Sequence, residues 1–268
     1  MIEVAFIGFG AIGRSLARTL KSHTDAVKIV AVLLRTPLSA TARAELPDGA
    51  RAVATLGELL ALRPAVVIEC AGHDALRDHG AHVLAHGTDL VVASVGALAA
   101  APVESALNAA AAAGSARILF PSGALGALDI LGAAKLAGLA RVTYSGRKPV
   151  QAWRNTAAEH MVNLDALREP CTFFERSARE AALHFPQNAN VAAAVALAGL
   201  GFDATQVKLI ADPDATGNLH RIEAEGAFGS FEFGVTGRVH ADNPKTSMLV
   251  AFSIAKTLLS LQARMAFL

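Results

Sequence analysis

The sequence predicts an α/β protein: a doubly wound parallel sheet followed by a second domain of different character. Three observations carry this. Short runs rich in β-branched residues alternate with helix-length segments through the first 120 residues, the pattern of parallel strands covered on both faces. A glycine-spaced turn, Gly8-Phe9-Gly10-Ala11-Ile12-Gly13, directly follows the first of these runs. After about residue 121 the strands become fewer, and two of them alternate apolar and polar residues.

Taken in order, residues 3–7 form a short apolar run ending in glycine, and 10–20 have helical spacing with Ile12, Leu16 and Leu20 on one face. Residues 27–34, 65–69, 90–93 and 117–120 are four more buried-strand runs, separated by helical segments near 56–62, 75–86 and 102–113. Residues 122–126 are a small-residue loop, and 127–139 a helix. Residues 142–145, 207–211, 219–226 and 230–239 read as strands. The last two show Ile222 and Ala224 against Phe231, Phe233 and Val235, as in an antiparallel pair with one wet face. Residues 245–265 read as a long closing helix. The expected domains are 1–120 and 121–244, with 245–268 packing back on the first.

Composition narrows the function. Hydrophobic residues make up 53% and charged residues 18%, too apolar for a disordered chain. A formal charge of +1 with no basic stripe argues against nucleic acid as a partner. The apolar stretch at 191–200 falls short of the roughly 20 residues that span a bilayer, so no membrane is expected. The chain opens on a strand pattern with no basic leader, and the expected location is the cytoplasm. Cys70 and Cys171 form no CxxC pair and no zinc spacing; they read as reduced thiols, with a reactive thiol as the alternative.

The glycine turn has a physical explanation at each position. Gly8 permits the tight turn, Gly10 lets backbone approach a pyrophosphate, and Gly13 lets the helix pack close to the strand. The N–H groups of Ala11 and Ile12 open the helix, whose positive end attracts phosphate. The alternative is a tight strand–helix turn without a ligand. The second strand ends in Arg35-Thr36, with no carboxylate for a ribose 2′-hydroxyl. Arg35 either pairs with a 2′-phosphate or is an ordinary solvated side chain. NADP is therefore expected to be accepted alongside NAD.

Further polar motifs interrupt the apolar background: Pro121-Ser122-Gly123-Ala124-Leu125-Gly126, the FPQNANVAA run at 185–193, the DPDATGNLH run at 212–220, and Asn243-Pro244-Lys245-Thr246-Ser247. With the glycine turn, these motifs resemble the L-aspartate dehydrogenase family along nearly the whole chain. The resemblance implies a Rossmann-type parallel sheet, a second α+β domain carrying an open mixed sheet, and a homodimer. It implies NAD(P)-dependent oxidation of L-aspartate to iminoaspartate, which can feed quinolinate and NAD synthesis. It places cofactor contacts at Ala124 and Asn190 and the catalytic residue at His220.

The chemistry agrees with that assignment. Oxidation at the amine-bearing carbon needs a neutral amine, hence a base titrating near working pH, and histidine suits this best. His220 lies in a polar loop–strand junction; a surface or structural role is the alternative. His79, His82 and His86 could share a helix face, but no carboxylate or cysteine set accompanies them, so a solvated face is preferred to a metal site. The two substrate carboxylates need cationic or hydroxyl partners, for which Lys148, Arg147, Arg221, Lys245, Ser122, Thr246 and Ser247 are candidates. Asn243 or Thr246 could instead cap the last helix. Two rivals remain: a two-domain reductase of homoserine or dihydrodipicolinate type, and a non-catalytic NAD(P)-sensing protein.

Overall fold

The computed structural model describes residues 1–36, 43–186, 189–240 and 243–266, with 239, 240 and 243–246 described in backbone alone. The chain divides into two compact units. One is Met1–Ala97, Ala101–Pro121 and Val250–Leu268; the other is Leu98–Ala100 and Ser122–Leu249.

The first unit contains β1 (Ile2–Ile7), α1 (Ala11–His23), β2 (Val27–Leu33), β3 (Arg51–Val53), α2 (Leu56–Ala61), β4 (Val66–Glu69), α3 (His73–Ala85), β5 (Asp89–Val92), α4 (Ala101–Gly114) and β6 (Ile118–Leu119). The six strands lie in the order β3-β2-β1-β4-β5-β6, and every pairing is parallel. Strand order reverses between β1 and β4, the position where such sheets take ligands at their carboxyl ends. Ile7 stands in register with Leu33 on one side and Glu69 on the other, so the loops that follow these strands emerge together. The short strand β3 was not expected, because three residues are too few to show a period. The helix after it starts on a capping box, in which Thr55 accepts the Glu58 N–H and Glu58 accepts the Thr55 N–H.

The second unit contains α5 (Leu128–Ala137), β7 (Leu139–Pro149), β8 (Cys171–Ser177), α6 (Ala178–His184), α7 (Asn190–Ala198), β9 (Gln206–Asp212), β10 (Asn218–Gly226), β11 (Gly229–Gly237), β12 (Val239–His240) and β13 (Asn243–Ser247). Its main sheet has the order β11-β10-β7-β9-β8 and is mixed: β7 and β9 are parallel, the other pairs antiparallel. β7 runs well past the expected 142–145, since its polar end (Gly146, Arg147, Lys148) continues the strand between β10 and β9. β8 and α6 were missed as well. β8 lacks a clean alternation, and its Phe173 and Phe174 pack edge-on with Trp153 and Phe185.

α8 (Leu249–Ser260) closes the chain. It is shorter than the helix expected over 245–265. Residues 243–247 pair with Val239–His240 as a ribbon instead, and Ser247 Oγ accepts the Leu249 N–H 3.2 Å away where the helix begins. Ala251, Ile254, Ala255 and Leu258 follow helical spacing on its buried face. They join Val4, Phe6, Leu16, Ile29, Val32 and Ile68 in the core of the first unit.

Candidate functional site

The glycine turn is built by packing as well as by backbone freedom. Gly8 has φ of +91°, and a Cβ there would lie 2.7 Å from the Ala71 Cβ. A Cβ on Gly13 would meet the Gly8 carbonyl oxygen at 3.0 Å and Cys70 Sγ at 3.3 Å. The segment Cys70-Ala71 is thus the surface against which the turn is pressed. Gly10 differs: a Cβ there meets nothing within 4 Å. The fold itself leaves room for a side chain at this position. No side chain caps the start of α1 at Gly10, which leaves its first-turn N–H groups for an anion.

This turn forms one wall of a cleft of about 770 Å³ in the first unit. Arg35 and Thr36 line its β2 side, and Ala71, Gly72, Asp74 and Asp78 line its α3 side. An open glycine cradle, an uncapped helix start and a cation at the end of β2 fit a dinucleotide. Cys70 is buried, and its thiol is pushed far up by burial and by the neighbouring Glu69 charge. Its Sγ donates to the Gly8 carbonyl at 3.3 Å. It is a packing group, not the reactive thiol left open by the sequence.

The second unit gathers its polar groups on one face of the mixed sheet. Val142, Tyr144, Gly146 and Lys148 alternate onto the buried face of β7, and Asn218, His220, Ile222 and Ala224 onto that of β10. His220 is opposite Gly146 across the ladder. Its Nδ1 is 2.7 Å from the hydroxyl of Tyr144, and the two rings stack with centroids 6.0 Å apart. Gly146 makes room for this contact, because a Cβ there would come within 2.9 Å of the Tyr144 hydroxyl. His220 is 2% exposed and Lys148 3% exposed. Burial, then the charge of Lys148, brings the imidazole down to about 3 from its ordinary 6.5, so the ring is neutral. Burial pushes the Tyr144 phenol up. The Lys148 ammonium lies 5.4 Å from the centroid of the Trp153 ring, a cation–π contact. Asn218 is buried, and its Oδ1 has no hydrogen-bond partner among the described residues.

A family profile described as "Aspartate dehydrogenase, C-terminal" matches residues 129–261, and one described as "Homoserine dehydrogenase, NAD binding domain" matches residues 8–121. The chain is 45% identical to an L-aspartate dehydrogenase of Ralstonia pickettii (strain 12J), over 96% of this chain and 97% of that one. It belongs to the L-aspartate dehydrogenase family. The L-aspartate dehydrogenase of Pseudomonas aeruginosa is 43% identical over the same shares. The crystal structure of aspartate dehydrogenase from Thermotoga maritima superposes with a TM-score of 0.80 at 26% identity, covering 100% of this chain and 99% of that one. A hyperthermophilic archaeal homoserine dehydrogenase shares the fold at 14% identity, with a TM-score of 0.60 and coverage of 96% and 98%.

As a member of the L-aspartate dehydrogenase family, the protein is an oxidoreductase that oxidises L-aspartate with NAD or NADP. Among the described residues no helix is long and apolar enough to cross a membrane. Of the sequence-derived candidates, the fold brings Lys148 and His220 onto one face. Ser247 joins them: its Oγ lies 3.1 Å from the Cβ position of Gly237, the cross-strand neighbour of Asn218. Arg221 and Arg147 are corrections, because strand alternation turns both to the opposite face. There Arg221 pairs with Glu223 and Glu232, and Arg147 with Asp212 at 2.5 Å. Ser122 is exposed and Ala124 buried in a loop packed on Phe233, where a Cβ on Gly126 would lie 2.9 Å from the ring. Asn190 is the first residue of α7. The side chains of Lys245 and Thr246 lie outside the described residues. Sequence reasoning missed Tyr144, Gly146, Asn218 and Glu69. A glycine inside the strand Tyr144-Ser145-Gly146-Arg147-Lys148 was the available signal for the first two.

Proposed function

We propose that His220 is the acid–base group of L-aspartate oxidation, that Lys148 and Ser247 receive substrate carboxylate, and that Gly8, Gly10, Ala11, Ile12, Gly13 and Arg35 hold the dinucleotide, with Ala124 and Asn190 as further cofactor contacts. The observation that carries this is a neutral, buried imidazole beside a buried lysine, with its Nδ1 already occupied by Tyr144. With Nδ1–H donating to the Tyr144 oxygen, Nε2 is the acceptor nitrogen left to take a proton.

NAD(P)⁺, when bound, supplies the hydride acceptor for the aspartate Cα hydrogen. The chain's part is to bind, orient and move one proton. Lys148, desolvated and held over Trp153, offers a strong partner to a carboxylate. That carboxylate offsets the lysine charge that depresses the imidazole, so His220 becomes a better base once substrate is present. His220 Nε2 takes a proton from the substrate ammonium, and the freed lone pair supports loss of the Cα hydride to give iminoaspartate. Asn218 Oδ1, a buried acceptor, suits the ammonium as donor. Arg35 lines the cleft at the end of β2, where the sequence Leu34-Arg35-Thr36 places no carboxylate, and it suits a 2′-phosphate, so NADP acceptance follows.

The test is reduction of NAD and of NADP with L-aspartate, using D-aspartate and L-glutamate as controls. His220→Ala should keep cofactor binding and lower turnover by roughly 10²–10⁴, the usual worth of an acid–base group. Near-normal turnover would move the proton transfer to a water or a lysine. NADP giving no turnover where NAD does would remove Arg35 from the site. The protein is further proposed to be a cytoplasmic homodimer that feeds quinolinate and NAD synthesis. Light scattering should read twice the chain mass.

A further inference from the structure

Glu69 ends β4 with its carboxylate wholly out of solvent, and no step above uses it. Its Oε1 accepts the Ala71 N–H and the Gly72 N–H, each at 2.8 Å, and the Ser94 hydroxyl at 3.0 Å. Its Oε2 accepts the Ser94 N–H at 3.0 Å. Three of these four partners are N–H groups that can only donate, so the group they fit is the carboxylate ion. No cationic side chain pairs with it among the described residues. A buried charge without a counter-ion is costly, and these four donors offset that cost.

Its place suggests the use. Glu69 is in register with Ile7 of β1 and Val92 of β5, at the centre of the carboxyl edge of the sheet. Its bonds tie the loop after β4 to the loop after β5. The first of these loops carries Ala71, which limits Gly8, and Gly72, which lines the cleft. In a sheet of this order the adenosine half of a dinucleotide lies toward β2, where Arg35 stands, and the nicotinamide half lies toward β4 and β5.

We propose that Glu69 is a positioning and selectivity residue for the dinucleotide: its carboxylate fixes the nicotinamide-side wall, and its charge favours the positively charged oxidised ring over the neutral reduced one. This suits an enzyme that takes up the oxidised cofactor and releases the reduced. It rests on NAD(P) use alone and stands or falls separately from the role of His220, since equilibrium binding needs no turnover.

The test is fluorescence titration with NADH and NADPH, and their displacement by NAD⁺ and NADP⁺. Glu69→Gln keeps the size and removes the charge, and it turns the amide NH2 toward the Ser94 N–H, a lost bond whose effect the Ser94 variant helps to separate. It should weaken the oxidised forms about tenfold more than the reduced forms. Ser94→Ala, which removes one bond and leaves the charge, should weaken both forms alike. Equal weakening of oxidised and reduced forms by Glu69→Gln, or no weakening, would overturn the selectivity role. If that variant does not fold, wild type decides against ADP-ribose as baseline. The oxidised ring must add more affinity than the reduced ring, and the reverse order overturns the proposal.

Discussion

The imidazole of His220 links site chemistry to stability. Its folded value of about 3 lies below the 6.5 of the free side chain, so between these values the unfolded chain binds the extra proton. Its contribution to stability is therefore fully present above pH 6.5 and is lost as pH falls toward 3, at up to about 1.4 kcal/mol per pH unit. Urea unfolding of wild type and His220→Gln at pH 7 and pH 5 measures this. The wild type should lose more stability on acidification, because glutamine cannot take the proton. Equal losses would mean that the ring titrates normally. His220 is singled out in the sequence by its motif and by the chemistry of amine oxidation. Its environment was not: Tyr144 lies 76 positions away and reaches it only because β7 and β10 are neighbours in the sheet. The orientation of Arg221 was hidden for the same reason. Next to His220 in sequence means the other face in a strand.

At the scale of the element, the three glycines of the Gly8–Gly13 turn separate into two kinds. Gly10→Val should leave the melting temperature within a few degrees of wild type and abolish NAD(P) binding, since its side chain has space in the fold but not beside a pyrophosphate. Gly8→Ala should destabilise the fold itself, by the roughly 1–2 kcal/mol of a left-handed backbone and by the clash with Ala71. Calorimetry with and without NADH distinguishes the two outcomes. A Gly10→Val protein that binds cofactor normally would show that the turn is not the phosphate site. The turn was readable because strand, glycines and helix are contiguous in sequence. The closing segment was not: Asn243–Ser247 has the composition of a helix start, but it pairs with Val239–His240, and that partnership carries no local signal. β8 failed in a third way: it is held by its pairing with β9, and its burial, shaped by aromatic packing, does not alternate cleanly.

For the whole molecule, the first unit is made from both ends of the chain. Ile254 and Leu258 of α8 are fully buried among Val4, Phe6 and Ile29, although about 250 positions separate them from β1. Contacts of such separation close a very long loop, and the burial of α8 must offset that entropy cost. Ile254→Ala should then cost about 2–5 kcal/mol, the range for a large apolar side chain truncated in a packed core. Phe252, on the same helix but 44% exposed, is the control, and its alanine variant should change stability by less than about 1 kcal/mol. Urea denaturation read by tryptophan emission is not suited to the comparison, because Trp153 belongs to the second unit. Circular dichroism together with NADH fluorescence reports on the first. NADH binding should be lost at lower urea in Ile254→Ala than in wild type, and excess NADH should restore part of the difference by mass action. Equal effects of the two substitutions would mean that α8 lies on the surface of the unit and does not complete its core.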